Sequence, residues 1–248
     1  MRTFKIVLGY DGTGFHGWQV QPGRRTVQGV LEEALAHVLG FDVRLKAAGR
    51  TDAGCHARGQ VASFAADTPV PIAALRPALN RRLPRDVRVR SAEEAESGFD
   101  ARRSAIARRY GYRLLDREDV LWGRMAWHPG RTPDAARLVQ ATRPLEGDHD
   151  CAAFQAAGST PTRTHCRVHR ATWRRWEGGV MLDVIANHFL YHMVRNLVGT
   201  ALALAERTNP SEAMRAVLAT RDRSRAGPTA PPQGLCLEEV FYSERVRT

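Results

Sequence analysis

The segment from Ala48 to Gln60 reads AGRTDAGCHARGQ. It sets one carboxylate, Asp52, among Arg50, His56 and Arg58, with glycines at 49, 54 and 59. A carboxylate amid cations is favoured in its ionised form and is poised as a nucleophile or as an anchor for a bound group. The glycines let the backbone turn tightly around it. On residue types alone a second reading stays equally open, a turn in which Asp52 accepts hydrogen bonds from nearby amides.

Three further constellations bear on chemistry. Gly12, Gly14 and Gly17 form a GxGxxG after an apolar run, with Glu32 and Glu33 near the distance of a ribose-binding acid. A dinucleotide site requires the last glycines to open a helix toward the pyrophosphate. Pro22 and Gly23 forbid that helix, and both glutamates fall inside the helix that begins after Thr26, so a nicotinamide-dependent oxidoreductase is set aside. In the stretch NHFLYHMVRNLVG, Leu190, Val194, Leu197 and Ala201 form an apolar helical face, widened by Tyr191, Val198 and Leu202. Arg195 is the only formal charge between Asn187 and Ala205. A guanidinium in apolar surroundings requires a carboxylate or a bound anion. Asp52 is the most economical partner, with Asp183 and Glu206 left open. Finally, Tyr110 and Tyr112 share one face of a predicted strand, opposite Arg109 and Gly111. They suit either a platform for an unpaired base or an ordinary core pair.

The cysteines, Cys55, Cys151, Cys166 and Cys236, show no CxxC spacing. Cys151, His165, Cys166 and His169 are the nearest thing to a metal set, but adjacent His165 and Cys166 point to opposite faces of a strand, which disfavours zinc. No metal is expected.

These residues need positioning elements. Thr26 to Gly40 predicts a helix with Val27, Val30, Leu31, Ala34, Leu35 and Val38 on one face, Thr26 as N-cap and Gly40 beyond its end. Strands are predicted from the N-terminus to Tyr10 and over 43–48, 60–65 and 86–90, and a short helix over 72–80. In the second half strands are predicted over 109–115 and 237–242, a helix lies within 133–144, and 168–176 pairs with 180–186 as a hairpin across Glu177, Gly178 and Gly179. A long apolar helix spans about Asn187 to Arg207. Hairpins outnumber clean βαβ crossovers. The expected fold is therefore α/β of the α+β type, in two domains over 1–103 and 104–248, each a mainly antiparallel sheet with helices on one face.

The chain has 248 residues, 37 Lys+Arg against 26 Asp+Glu and a formal net charge of +11, and only Lys5 and Lys46 among the basic residues are not arginine. With 43% apolar residues it can bury a sizeable core, which excludes disordered and collagenous classes. The N-terminus reads directly as a strand without a signal peptide, and the most apolar stretch is too short to cross a bilayer, so a cytoplasmic, non-membrane protein is expected. Guanidinium surplus suits a polyanionic partner, although codon bias toward arginine would produce the same surplus. The clusters at 76–90, 102–113 and 163–175 are candidates for phosphate contacts.

GRTDAGCHARGQVASF closely resembles the active-site motif of the TruA family of tRNA pseudouridine synthases. The similarity continues through YDGTGFHGWQVQ, TVQGVLEEAL, ALNRRLPRDV, FDARRSAIARRYGYRL, ANHFLYHMVRNLVG and APPQGLCLEEV. It implies isomerisation of uridine to pseudouridine at positions 38, 39 and 40 of the tRNA anticodon stem-loop, without cofactor or metal. Asp52 matches the catalytic aspartate and Arg50 the arginine that holds or displaces the target nucleotide. Tyr110 matches the tyrosine that stacks on the base and serves C5 proton removal, Arg195 the basic residue paired with the aspartate, and Leu235 an apolar pocket residue. Cys55 stands where many relatives have valine. The resemblance further implies two related domains with a basic active-site cleft between them, and a homodimer that cradles one tRNA. A non-catalytic RNA-binding protein is the alternative that the charge alone supports.

Overall fold

The computed structural model describes residues 1–156 and 163–243. Its described residues divide into two compact units, Met1–Ile106 with 237–243, and Ala107–Cys236. Both mix helices with mainly antiparallel strands, the α+β class expected.

In the first unit, β1 (Arg2–Tyr10) lies between β3 (His56–Ala66) and β4 (Val87–Ala95), antiparallel to both, and β2 (Lys46–Ala47) pairs with β3. Alternation on β1 buries Phe4, Ile6 and Leu8, and Phe4 stacks on Phe64 at 5.0 Å. Against these strands pack α1 (Val27–Leu39), burying Val27, Leu31, Ala34 and Leu35, and α2 (Ile72–Arg82), burying Leu75 and Leu79. The predicted caps of α1 are realised. The Thr26 side chain accepts from the Gly29 amide, and Gly40 is left-handed with φ 85°, its amide donating to the Ala36 carbonyl. A second cluster of Ala48, Val61 and Ala101, flanked by Val7, Phe99, Val240 and Tyr242, covers other β3 side chains. β3 is therefore buried at nearly every position. It starts at His56, four residues earlier than the sequence suggested, and shortens the Asp52 loop accordingly. The strand expected over 43–48 reduces to β2.

In the second unit the strand order is β5 (Ala107–Leu115), β8 (Gly179–Ala186), β7 (His165–Trp176) and β6 (Gly147–Asp150), all antiparallel. Helices α3 (Ala135–Thr142), α4 (Met193–Ala205) and α5 (Pro210–Thr220) complete it, and β9 (Leu235–Phe241) ends the described chain. Every residue of β8 is buried.

The helix expected from Asn187 to Arg207 begins only at Met193. His192 is left-handed with φ 59°, a conformation that interrupts a right-handed helix. Upstream, the Asn187 side chain accepts from the Arg167 and His188 amides, a local alternative to helical hydrogen bonding. Tyr191 is accordingly 52% exposed and does not belong to the apolar helical face.

Candidate active site

Asp52 and Arg50 lie on the loop between β2 and β3 of the first unit. Asp52 is half-buried and Arg50 exposed, while Thr51, Cys55 and His56 are buried. The loop backbone is held from several sides. The Asp52 carbonyl accepts from the Cys55 amide at 3.1 Å, closing a tight turn, and the Trp18 amide donates to the Thr51 carbonyl at 3.0 Å. The Tyr10 hydroxyl meets the Thr51 hydroxyl at 2.7 Å, and Gln60, fully buried, donates both to Tyr10 at 3.3 Å and to the Gly49 carbonyl at 2.8 Å. A fully satisfied buried network of this kind makes deviation costly, because any broken member leaves a polar group unpaired away from water.

The glycines of the YDGTGFHGW segment approach the same loop. A Cβ on Gly12 would lie 1.9 Å from the Cys55 carbonyl oxygen, and one on Gly17 would lie 2.8 Å from that of Thr51. Gly17 also has φ +84°. The Gly12 amide donates to His56 Nδ1 at 3.0 Å, and that nitrogen is 3.2 Å from Asp11 Oδ1. Gly12 and Gly17 of the GxGxxG thus brace the Asp52 loop, and no helix opens there, as Pro22 and Gly23 led us to expect.

In the second unit Tyr110 lies on β5 opposite Val184 of β8, buried, with the Phe189 ring edge-on at 4.9 Å and 83°. Tyr112, two residues on and fully buried, donates its hydroxyl to the Pro231 carbonyl at 2.7 Å. Its ring leaves no space for a Cβ on Gly234, immediately before Leu235. Arg195, in the first turn of α4 and half-buried, donates Nε–H to the Ala230 carbonyl at 2.7 Å, while its own carbonyl accepts from the Ala230 amide at 3.1 Å. The segment 230–235 therefore ties together Arg195, the Tyr110–Tyr112 strand and buried Leu235. Asn196 fixes that segment further. Its amide donates to the Phe154 carbonyl, and its oxygen accepts from Arg223 and the Thr229 hydroxyl.

Asp183, one candidate partner for Arg195, is engaged elsewhere. It takes Arg109 Nε and Nη2 at 2.8 Å each, and Arg170 Nη2 at 2.6 Å. Contacts of this kind also sort the arginine clusters. Arg108 and Arg113 are buried, Arg108 donates to the Asn187 carbonyl, Arg109 and Arg170 hold Asp183, and Arg175 pairs with Asp116. The exposed members include Arg76, Arg81, Arg82, Arg85, Arg102, Arg103 and Arg167. Phe189 and Asn196 were not singled out in the sequence. Only their place in the NHFLYHMVRN stretch could have drawn attention to them.

Cys151 and Cys166 are both buried, and Cys166 Sγ is 3.4 Å from His188 Nε2. The hydrogen bond from the Cys151 thiol, with His188 adding to it, brings the Cys166 thiol down to about 6 in spite of burial. The Cys151 thiol is pushed up by the same contact and by burial. His165, next to Cys166, is exposed, as strand alternation requires. Among the described residues no set of three metal-ligating side chains converges and no helix is long and apolar enough to cross a membrane.

A profile described as tRNA pseudouridine synthase matches residues 6–102 and 141–243, segments that contain Arg50, Asp52, Arg195 and Leu235. The tRNA pseudouridine synthase A of Moorella thermoacetica is 42% identical over 246 residues, 98% of this chain and 100% of that protein. The protein of the same name from Geobacter sulfurreducens is equally similar over the same coverage, and that of Thermoanaerobacter pseudethanolicus is 40% identical over 244 residues. These alignments run through Tyr110, which the profile segments do not reach. A family model that matches most of the chain, and relatives 40–42% identical over 98% of its length, establish that the chain belongs to the tRNA pseudouridine synthase family.

Proposed function

We propose that the protein isomerises uridine to pseudouridine at positions 38, 39 and 40 of the tRNA anticodon stem-loop, with Asp52 as nucleophile and without a cofactor. The observation that carries this reading is the Asp52 loop, whose backbone is pinned by buried partners while Asp52 itself is only half-buried, in a chain of this family. The reaction breaks the N1–C1′ bond, turns the uracil and joins C5 to C1′, with the C5 proton lost and one gained at N1. It is internal and redox-neutral. A glycosidase working by acid and nucleophile needs a second carboxyl group across the bond, whereas one carboxylate suffices here by attack at C1′, by assisting glycal formation or by addition to C6.

Arg50 is assigned to hold the displaced nucleotide, Tyr110 to stack on the base and serve C5 proton removal, and Leu235 to wall the pocket. Arg195 is assigned as the counter-charge of Asp52, a role to which the engagement of Asp183 by Arg109 and Arg170 lends support. Flipping the target nucleotide out of its stack suits aromatic and guanidinium contacts. The same reading takes the protein as a cytoplasmic homodimer acting on tRNA.

Asp52→Asn is expected to abolish tritium release from tRNA labelled at uridine C5 while tRNA binding persists; retained release refutes the assignment. Binding by the wild type with no pseudouridine detected by chemical-adduct primer extension would favour a non-catalytic RNA-binding protein instead.

A further inference from the structure

Beside the Asp52 loop, the first unit contains a recess of about 270 Å³ whose lining includes Trp18, Lys46, Arg50, Asp100, Arg102 and Arg103. Trp18 is only 2% exposed and provides a fixed wall. The single carboxylate, Asp100, is paired with Lys46, so it is not matched to Arg50 or Arg103. Asp100 takes the Arg102 and Arg103 amides at 2.9 and 3.0 Å and Lys46 Nζ at 3.2 Å. Burial pushes the Asp100 carboxyl up, but the hydrogen bonds from Arg103, Lys46 and Arg102 outweigh it and hold the group below its ordinary value. Asp100 therefore remains charged and serves to fix the turn that presents Arg102 and Arg103. Among the described residues, the Arg50 and Arg103 side chains are not ion-paired. Guanidinium groups gathered in a concave site without matching carboxylates raise the local affinity for an anion, and planar guanidinium favours phosphate.

Position narrows the anion further. Arg50 precedes Asp52 by two residues, so their Cα atoms are at most about 7 Å apart. An anion held at Arg50 thus adjoins whatever nucleotide meets Asp52. We propose that the recess is an anion subsite gripping a backbone phosphate of the RNA strand next to the target uridine, with Arg103 as its principal unassigned contact. The proposal rests on the functional reading for the identity of the strand.

The test measures binding of an anticodon stem-loop RNA against salt concentration for the wild type, Arg103→Gln and Arg215→Gln, the last an exposed arginine of α5 far along the chain from the recess. Arg103→Gln is expected to weaken binding about 3- to 10-fold at low salt and to reduce the slope of log affinity against log salt by about 0.7–0.9, the loss of one phosphate contact. Arg215→Gln is expected to change neither. A neutral methylphosphonate at one phosphate beside the target should weaken the wild type, and the same substitution should cost Arg103→Gln no further affinity. Wild-type affinity and slope in Arg103→Gln, or additive losses at every methylphosphonate position, overturns the subsite. Saturable binding of inorganic phosphate that is lost in Arg103→Gln yet leaves wild-type RNA affinity unchanged at constant ionic strength overturns it in favour of a free-anion site. If the wild type makes no pseudouridine but the slope change and phosphate coupling are found, the subsite stands and the functional reading falls. If pseudouridine forms and Arg103→Gln binds as the wild type does, the subsite alone falls.

Discussion

Replacing Gly12 by alanine tests whether the glycine brace sets the position of Asp52. The added Cβ would lie 1.9 Å from the Cys55 carbonyl oxygen and 2.5 Å from its carbon, both backbone atoms with no rotamer to yield. Ordinary contact begins near 3.4 Å, so the two loops must separate by roughly 1.5 Å, an overpacking that typically costs about 1–3 kcal/mol. The displacement is applied three residues from Asp52, through a turn closed by the Cys55 amide on the Asp52 carbonyl. It also strains the Gly12 to His56 hydrogen bond. A misplacement of 1 Å at a reacting group costs on the order of 100-fold in rate. Gly12→Ala should therefore fold, melt a few degrees lower, and release tritium from C5-labelled tRNA at least about 100-fold more slowly at saturating substrate. Gly14→Ala is the matched control. Its Cβ would meet side-chain ends alone, Arg25 Nη1 at 3.2 Å and Asp86 Oδ2 at 4.0 Å, and the former can move aside. Turnover by Gly12→Ala within about threefold of the wild type would refute the claim that this close approach positions the carboxylate.

Two further predictions concern the second unit. Asp183→Asn removes the counter-ion of Arg109 and Arg170 from a buried strand, and the two guanidinium groups left behind should lower stability by about 3 kcal/mol or more in urea unfolding; an unchanged midpoint would show that the pairing contributes nothing. For Cys166, the folded thiol lies near 6 against an ordinary value of 9.0, so between those limits the unfolded chain binds the proton and the folded chain does not. Stability relative to Cys166→Ser should accordingly rise with pH through this window and be lost as pH falls through about 6, and identical urea midpoints for both proteins across the window would contradict it.

Local signals made much of this fold legible. Thr26 and Gly40 bracket α1 because a side-chain acceptor and a left-handed residue are set by nearest neighbours. The hairpin turn follows for the same reason, although it is tighter than expected: Gly179 already pairs with Trp176 and only Glu177 and Gly178 turn. The start of α5 carries an equally local signal, an N-cap pattern of Asn209 and Glu212 with Pro210 in the first helical position. Other outcomes depend on distant partners. The apolar run from Asn187 fits a helix by periodicity, yet Asn187 bonds to Arg167, some 20 residues away, and His192 turns left-handed. Arg109 and Arg170 look like surface cations until β5, β7 and β8 bring them to one carboxylate.

The candidate site divides along the same line. That Asp52 occupies a glycine-turned loop could be read from 13 consecutive residues, but what limits the loop could not. Gly12 and Gly17 are 40 and 35 positions upstream, and Gln60 acts back on Gly49 through a hydrogen bond that spacing alone does not suggest. Glycines in this pattern can serve a pyrophosphate or, as Gly12 and Gly17 do, the carbonyls of a neighbouring loop, because both require a backbone that another group can approach closely. Pro22 and Gly23 exclude the first use without revealing the second. Close approach to Cys55 and Thr51 identifies the second, and it makes the residues between Tyr10 and Trp18 part of the machinery that orients Asp52 even though none of them carries the chemistry.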